Sequence, residues 1–302
     1  MADRVTLTSL AGLTVGHWTH SGAATGCTVI LPPPEGCVAS VAVRGWAPGT
    51  RETDLLAPEK TVPAIHGLIL SGGSAFGLAA ADGVMRWCEE QGRGFDTPAA
   101  RVPIVPAAVI YDLGVGRADV RPDAEAGYFA ATAANREPVA GGRVGAGAGA
   151  TCGKYLGFEH AVPTGLGNAG RRVEGALLAA LVVANPVGDI VDPDTAQRVA
   201  GAQGAHADRD LVDLFAAQPG SNTTLVAVAT DAPLTKTEAR ILAECAHAGM
   251  ARAIRPSHTL FDGDTAFALS TGRGPGVPLA LLTIAVQEVV AAAVVNAARS
   301  SL

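Results

Sequence analysis

Residues 220–233 read Gly220-Ser-Asn-Thr-Thr224-Leu-Val-Ala-Val-Ala-Thr230-Asp-Ala-Pro233. From Thr224 to Thr230 every side chain is β-branched or apolar, the composition of a strand buried on both faces. Asp231, Ala232 and Pro233 turn the chain. Thr235 and Glu238 then supply a capping box, so a helix is predicted to follow, running to about His247 with Gly249 as its stop. A doubly buried strand needs a layer on each side, and the rest of the chain has to provide both.

It does so in pieces. Glu174 to Ala184 is an almost unbroken apolar run, predicted as a buried strand that ends at Asn185-Pro186, because a residue before proline is pushed into extended backbone. Shorter runs bounded by Gly and Pro read as strands: Cys27–Leu31, Val38–Val43, Ile65–Leu70 and Pro103–Tyr111. Phe261–Ser270 reads the same way. Ser74–Gln91 is predicted as a helix capped by Ser74 and stopped at Gly92, and Asp123–Ala134 as a second, Ala-rich one. Val277–Ala298 is nearly all apolar; Gln287, Glu288 and Asn296 interrupt it, which favours a buried core helix over a membrane span. Strands and long helices alternate irregularly over one domain, 1–302, so an α+β layered sandwich is expected. Val187–Ser221, rich in Asp, Gly, Ala and Gln with Pro193 and Pro219, reads as a flexible connector in which Leu211–Phe215 forms a helical turn. Gly141–Gly153 is mostly Gly and Ala, a backbone able to approach other atoms closely.

Composition narrows the function. The chain has 302 residues, 48% of them hydrophobic, and a formal net charge of −6. That gives no broad basic field, which argues against nucleic acid and anionic membrane as partners and for a small peptide or amide substrate. Its five cysteines are an odd number, with no CxxC pair, and the histidines are scattered, so neither a metal site nor another cofactor is expected. Cysteine usage and the lack of a basic, apolar leader in Met-Ala-Asp-Arg-Val-Thr point to the cytoplasm. Gly145–Lys154 imitates a phosphate loop but has Ala148 and Tyr155 where Gly and Ser or Thr are needed. Gly73-Ser74-Ala75 imitates a nucleophile elbow but has Phe76 in place of Gly.

The connector runs directly into the buried strand at Gly220-Ser221-Asn222-Thr223. A threonine hydroxyl is a weak nucleophile unless a base stands beside it, and the α-amine of an amino-terminal threonine is such a base. Its ordinary pKa is about 7.7–8.0. Exposing that amine requires breaking the Asn222–Thr223 bond, which Thr223 Oγ achieves by attacking the Asn222 carbonyl.

Four stretches together resemble the L-aminopeptidase/D-esterase family, which also holds β-peptidyl aminopeptidases and nylon-oligomer hydrolases. They are Gly12-Leu-Thr-Val-Gly-His17, Gly67-Leu-Ile-Leu-Ser-Gly-Gly-Ser-Ala-Phe-Gly77, Val102-Pro-Ile-Val-Pro106 and Asn222–Pro233. The resemblance implies an αββα four-layer sandwich of the N-terminal-nucleophile-hydrolase type. It implies self-cleavage into a larger subunit, 1–222, and a smaller one, 223–302, and assembly as a homo-oligomer, often a tetramer. Thr223 aligns with the nucleophile, and threonine there is similar to the nylon-oligomer hydrolase branch. Asn185 matches an asparagine whose amide donates to an oxyanion, Lys154 a lysine near the nucleophile, and Tyr111 a tyrosine that orients the site. Asp262 and Asp264 match the acidic pair of that branch and are expected to share one face of a strand and clamp the new ammonium. The Gly72 and Gly73 amides, beside Ser74, are expected as pocket wall or oxyanion donors. Each residue also has a plainer reading: Asp262-Gly-Asp264 as a solvated turn, Lys154 as a surface charge, Asn185 as a turn residue, and Tyr111 as core. Beside amide hydrolysis stand two alternatives, an acyltransferase of the ornithine acetyltransferase type and a non-cleaving scaffold.

Overall fold

The computed structural model describes residues 5–204 and 222–301. Ten strands build two five-stranded sheets: β1 (Thr14–His20), β2 (Thr25–Leu31), β3 (Val38–Val43), β4 (Thr50–Arg51), β5 (Leu68–Ser71), β6 (Ala107–Val109), β7 (Leu166–Val173), β8 (Ala176–Asn185), β9 (Thr223–Thr230) and β10 (Thr265–Ser270). The first sheet has the order β1-β2-β5-β6-β4 and the second β7-β8-β9-β10-β3. Pairing is antiparallel except for β5 with β6 and β9 with β10. Among the described residues, four α-helices complete the frame: α1 (Ala80–Glu90), α2 (Ala124–Thr132), α3 (Lys236–Ala253) and α4 (Leu279–Arg299).

The period-2 alternation of a strand sorts the apolar side chains of the sheets into three layers, beside a small separate cluster of Tyr155, Val187 and Ala202. In β8, Leu177, Ala179, Leu181 and Val183 enter the space between the sheets, meeting Ile30, Leu68 and Leu70 of the first sheet. Leu178, Ala180, Val182 and Ala184 point the other way, under α3 and α4. Val29 and Ile69 carry the first sheet's outer face against Val84 of α1 and Ala130 of α2. Each fully buried Val or Leu in these layers contributes about 1.5–3 kcal/mol. The result is the αββα sandwich. By length and composition α4 is apolar enough to cross a membrane. One stripe of it, Leu282, Val286, Val290 and Val294, is nevertheless fully buried in the core beneath α3, as a core helix requires.

Several expectations are corrected. Ser74 does not cap a helix: it has φ +53, follows Gly73 at φ +80, and starts a 3-10 turn, Ser74–Ala79, that leads into α1. Gly249 does not stop α3, which continues to Ala253. A Cβ at Gly249 would lie 2.6 Å from the Gln287 carbonyl oxygen, so glycine there serves close packing of α3 on α4. The first part of the expected connector is ordered, with Asp189–Val191 pairing both Arg198–Ala200 and Ile254–Arg255. The expected turn Leu211–Phe215 lies outside the described residues.

Candidate active site

In the register of β8 and β9, Asn185 stands opposite Thr223. Both continue the odd-numbered rows, Leu177 to Val183 and Leu225 to Ala229, that face the inter-sheet core. The two polar side chains therefore stand side by side at the edge of an apolar space. Thr223 is 4% exposed and Asn185 fully buried.

The backbone at the expected cleavage point is held tightly. Asn222 bridges in parallel register to Asp262, and its carbonyl accepts a 2.9 Å hydrogen bond from the Gly263 N–H. Thr223 Oγ1 donates to the same carbonyl, so the side-chain oxygen expected to act as nucleophile touches the peptide it would attack. Asn222 Nδ2 reaches the Phe261 carbonyl at 3.4 Å.

Asn185 is oriented by its neighbours. Its Oδ1 accepts from the Thr151 N–H at 3.0 Å and from Lys154 Nζ at 2.7 Å, while its Nδ2 donates to the Tyr111 carbonyl at 3.2 Å. Tyr111 thus meets Asn185 through its backbone; its ring lies against Phe158 at 6.1 Å. Lys154 also donates to the Asn185 carbonyl at 3.0 Å, and its Nζ lies 5.9 Å from the Phe158 ring centre. Burial pulls the Lys154 ammonium down to about 7, against the opposing pull of nearby Asp262, Asp264 and Asp112. A neutral lysine gives both its hydrogens to Asn185 and keeps a lone pair for a proton. The Gly-rich segment makes this approach feasible: a Cβ on Gly153, at φ +70, would strike the Gly201–Ala202 backbone.

Asp262 and Asp264 are buried and lie in the turn ahead of β10, not on the strand as expected. Asp262 Oδ1 accepts from the Val187 N–H at 3.2 Å, and Oδ2 accepts from Thr259 N–H and Oγ1 at 2.9 and 2.7 Å. Asp264 Oδ1 accepts from the Thr224 N–H at 2.7 Å. Burial, and then the charge of Asp264, push the Asp262 carboxyl up to about 6. The pair's role as pure surface turn is excluded by this burial.

Sequence reasoning missed His258, whose Nδ1 lies 2.7 Å from Asp264 Oδ2. No motif marks it; only its place four residues before Asp262 and six before Asp264 links them. The amides of the glycine turn, expected as pocket wall or oxyanion donors, have partners of their own. The Gly72 N–H donates to the Gly26 carbonyl at 2.8 Å, Gly73 N–H to Asp112 Oδ1 at 2.7 Å, and Ser74 N–H to the Ile110 carbonyl at 2.9 Å. These amides are spent inside the fold, so they are not the free oxyanion donors expected. Among the described residues, no group of three or more His, Cys, Asp or Glu converges as a metal site.

Residues 6–301 match peptidase family S58. The chain belongs to that family. As an S58 peptidase it is a self-processing hydrolase of peptide and amide bonds with the N-terminal-nucleophile-hydrolase fold. It is 44% identical over 299 residues to an uncharacterized aminopeptidase of Mycobacterium leprae, covering 88% of this chain and 78% of that one. To the 6-aminohexanoate-oligomer endohydrolase of a Kocuria strain it is 34% identical over 275 residues, 86% of this chain and 73% of the relative. Identity to the mycobacterial aminopeptidase thus exceeds that to the endohydrolase. The L-aminopeptidase D-Ala-esterase/amidase structure from Ochrobactrum anthropi superposes with a TM-score of 0.73 at 20% identity, over 98% of this chain and 86% of the other, and shares the fold.

Proposed function

We propose that Thr223 is the nucleophile of this S58 peptidase, freed by cleavage after Asn222 to give subunits 1–222 and 223–302. The observation that carries this is the contact of Thr223 Oγ1 with the Asn222 carbonyl. Before cleavage the Thr223 nitrogen is an amide and cannot act as a base. Lys154 is the proposed base for that step: its Nζ bonds Asn185, the residue opposite Thr223, and burial lowers its pKa to about 7. After cleavage the Thr223 amine takes over, and Asp262 and Asp264 hold it in place. Asn185 orients Lys154 and, with the remaining hydrogen of Nδ2, donates to the substrate's oxyanion. Tyr111 forms the wall through its backbone.

The proposed substrates are small amides: amino-terminal residues of peptides, β-peptides, D-aminoacyl amides and aminohexanoate oligomers. The names of the mycobacterial and Kocuria relatives support the amino-terminal residues of peptides and the aminohexanoate oligomers. A homotetramer in the cytoplasm is the proposed working form; Leu281 and Ile284, on the outer face of α4, are exposed in the single chain and are available to such an assembly.

Intact mass on a denatured sample tests the core of this reading. The expected result is two fragments, with the second beginning at Thr223, and a single chain for Thr223→Ala. A fully active enzyme that begins only at residue 1 overturns it.

A further inference from the structure

Attack on the Asn222 carbonyl moves a full negative charge onto its oxygen, and some donor has to be there to receive it. Asn185 is the donor suggested by resemblance. In the uncut chain, however, its Oδ1 is fixed by Thr151 and Lys154, and its Nδ2 is turned toward the Tyr111 carbonyl. The N–H that meets the Asn222 oxygen is that of Gly263, at 2.9 Å.

That N–H is held rigid. The peptide unit joining Asp262 to Gly263 presents its other end, the Asp262 carbonyl, to the Ala47 N–H at 3.0 Å. The Gly263 carbonyl accepts from Thr265 Oγ1 at 3.0 Å, and the Asp264 carbonyl accepts from both the Arg44 and Gly45 N–H groups, at 3.0 and 3.1 Å. A peptide polarised at its oxygen is a stronger donor at its nitrogen, and a donor fixed before the reaction needs no reorganisation during it. The position also admits no side chain. A Cβ on Gly263 would lie 2.6 Å from the Ala47 carbonyl oxygen and 2.7 Å from Thr223 Oγ1, so anything larger than glycine displaces either the anchor or the nucleophile.

We infer that the backbone N–H of Gly263 is the oxyanion donor of self-cleavage. Thr223 Oγ bonds to the Asn222 carbonyl carbon, its proton leaves to the base, and the carbonyl π pair moves to the oxygen that Gly263 holds. Collapse of this tetrahedral species breaks the C–N bond, and the proton passes to the Thr223 nitrogen, leaving an ester and a free amine. Water then adds to the ester carbonyl, the C–Oγ bond breaks, and Asn222 carboxylate and the Thr223 hydroxyl are released. The inference rests on the proposed nucleophile.

The test replaces Gly263 by glycolic acid in the full chain, by nonsense suppression in cell-free translation, so that an ester oxygen stands where the N–H was. Self-cleavage is followed by intact mass. The expected result is a slowing of about 10²–10³-fold, the usual cost of losing one oxyanion donor. In the same substitution on a Thr223→Ala background, the infrared stretch of ¹³C-labelled Asn222 carbonyl is expected to move to higher frequency, a readout independent of cleavage. A glycolate chain that cleaves within threefold of the unmodified one, or an unmoved carbonyl band, overturns the inference. Failure of the unmodified chain to cleave between Asn222 and Thr223 strikes instead at the functional reading beneath it.

Discussion

Asp264 Oδ2 accepts two hydrogen bonds from one residue, the backbone N–H of His258 at 3.1 Å and its imidazole Nδ1 at 2.7 Å. His258 adopts φ +55, an uncommon backbone for a side chain of its size, and that turn coincides with both donors converging on one oxygen. Its other ring nitrogen faces the His247 carbonyl at 3.4 Å, and the two rings meet edge-on at 4.9 Å. Burial lowers the His258 pKa, but the hydrogen bond and charge of Asp264 outweigh it and leave the pKa raised. His247 is held neutral by burial, at about 4, so the cation belongs to His258.

A raised histidine pKa stabilises the fold fully below the unfolded value near 6.5, and that stability is lost as pH rises through the folded value. Replacing His258 by Gln keeps a neutral donor, and replacing it by Ala keeps none. Urea unfolding of uncleaved Thr223→Ala protein at pH 6 is expected to show a loss of about 1.5–3 kcal/mol for His258→Ala and less for His258→Gln. The gap between wild type and His258→Gln should narrow by pH 9. An equal gap at both pH values counts against an ion pair.

Lys154 sets the pH dependence of self-cleavage if it is the base. Its pKa is lowered to about 7, so the neutral fraction rises about tenfold per pH unit below that value and saturates above it. The initial cleavage rate should follow that curve. Lys154→Arg keeps a cation that does not deprotonate in this range and should leave the precursor whole at every pH from 6 to 9; a normal profile in that variant removes Lys154 from the chemistry.

Asn185 is the acceptor that holds Lys154, at 2.7 Å. Asn185→Asp places an anion there, which raises the lysine's pKa, so the rising limb of the cleavage profile should move to higher pH. Asn185→Ala strands the buried Thr151 N–H and removes one of the two acceptors of Lys154, leaving only the backbone carbonyl, at a cost of about 1–3 kcal/mol for the unsatisfied group. Thermal melting of the Thr223→Ala background reads the second effect apart from the first.

Gly83 and Gly127 bring α1 and α2 together with bare backbone: a methyl on Gly83 would overlap the Ala124 carbonyl oxygen, and one on Gly127 that of Ala80. Gly83→Ala is expected to cost about 1–3 kcal/mol by forcing the helices apart. Gly276→Ala, with no atom within 4 Å of the added carbon, is the matched control and should melt within a degree or two of wild type.

Much of this was legible in the residues because one physical signal decided each piece. Val38–Val43 and Thr224–Thr230 read as strands because a run of β-branched and apolar side chains has few alternatives once burial is double. The Thr235–Glu238 capping box is present as expected, because capping is a local matter between four residues. Gly249 and Ser74 were misread because local punctuation competes with packing: glycine admits a neighbouring helix as readily as it ends its own. The ordered ribbon at Asp189–Val191 and Arg198–Ala200 was hidden by polar composition, since its partner strand, Ile254–Arg255, lies far along the chain. Asp262 and Asp264 were found through resemblance, whereas their distant backbone donors, Val187 and Thr224, follow from tertiary register alone, and His258 from a local turn that no motif marks.

The order of the second sheet, β7-β8-β9-β10-β3, has a bearing on what a cut after Asn222 leaves behind. β9 and β10 belong to the carboxy-terminal piece, and they are inserted between β8 and β3 of the amino-terminal one. Hydrogen-bond ladders along both seams would outlast the broken peptide, and Leu225 and Phe267 stay rooted in the common interior. The two products are therefore expected to travel as one particle through gel filtration and part only in denaturant, so that apparent size in native buffer is blind to processing.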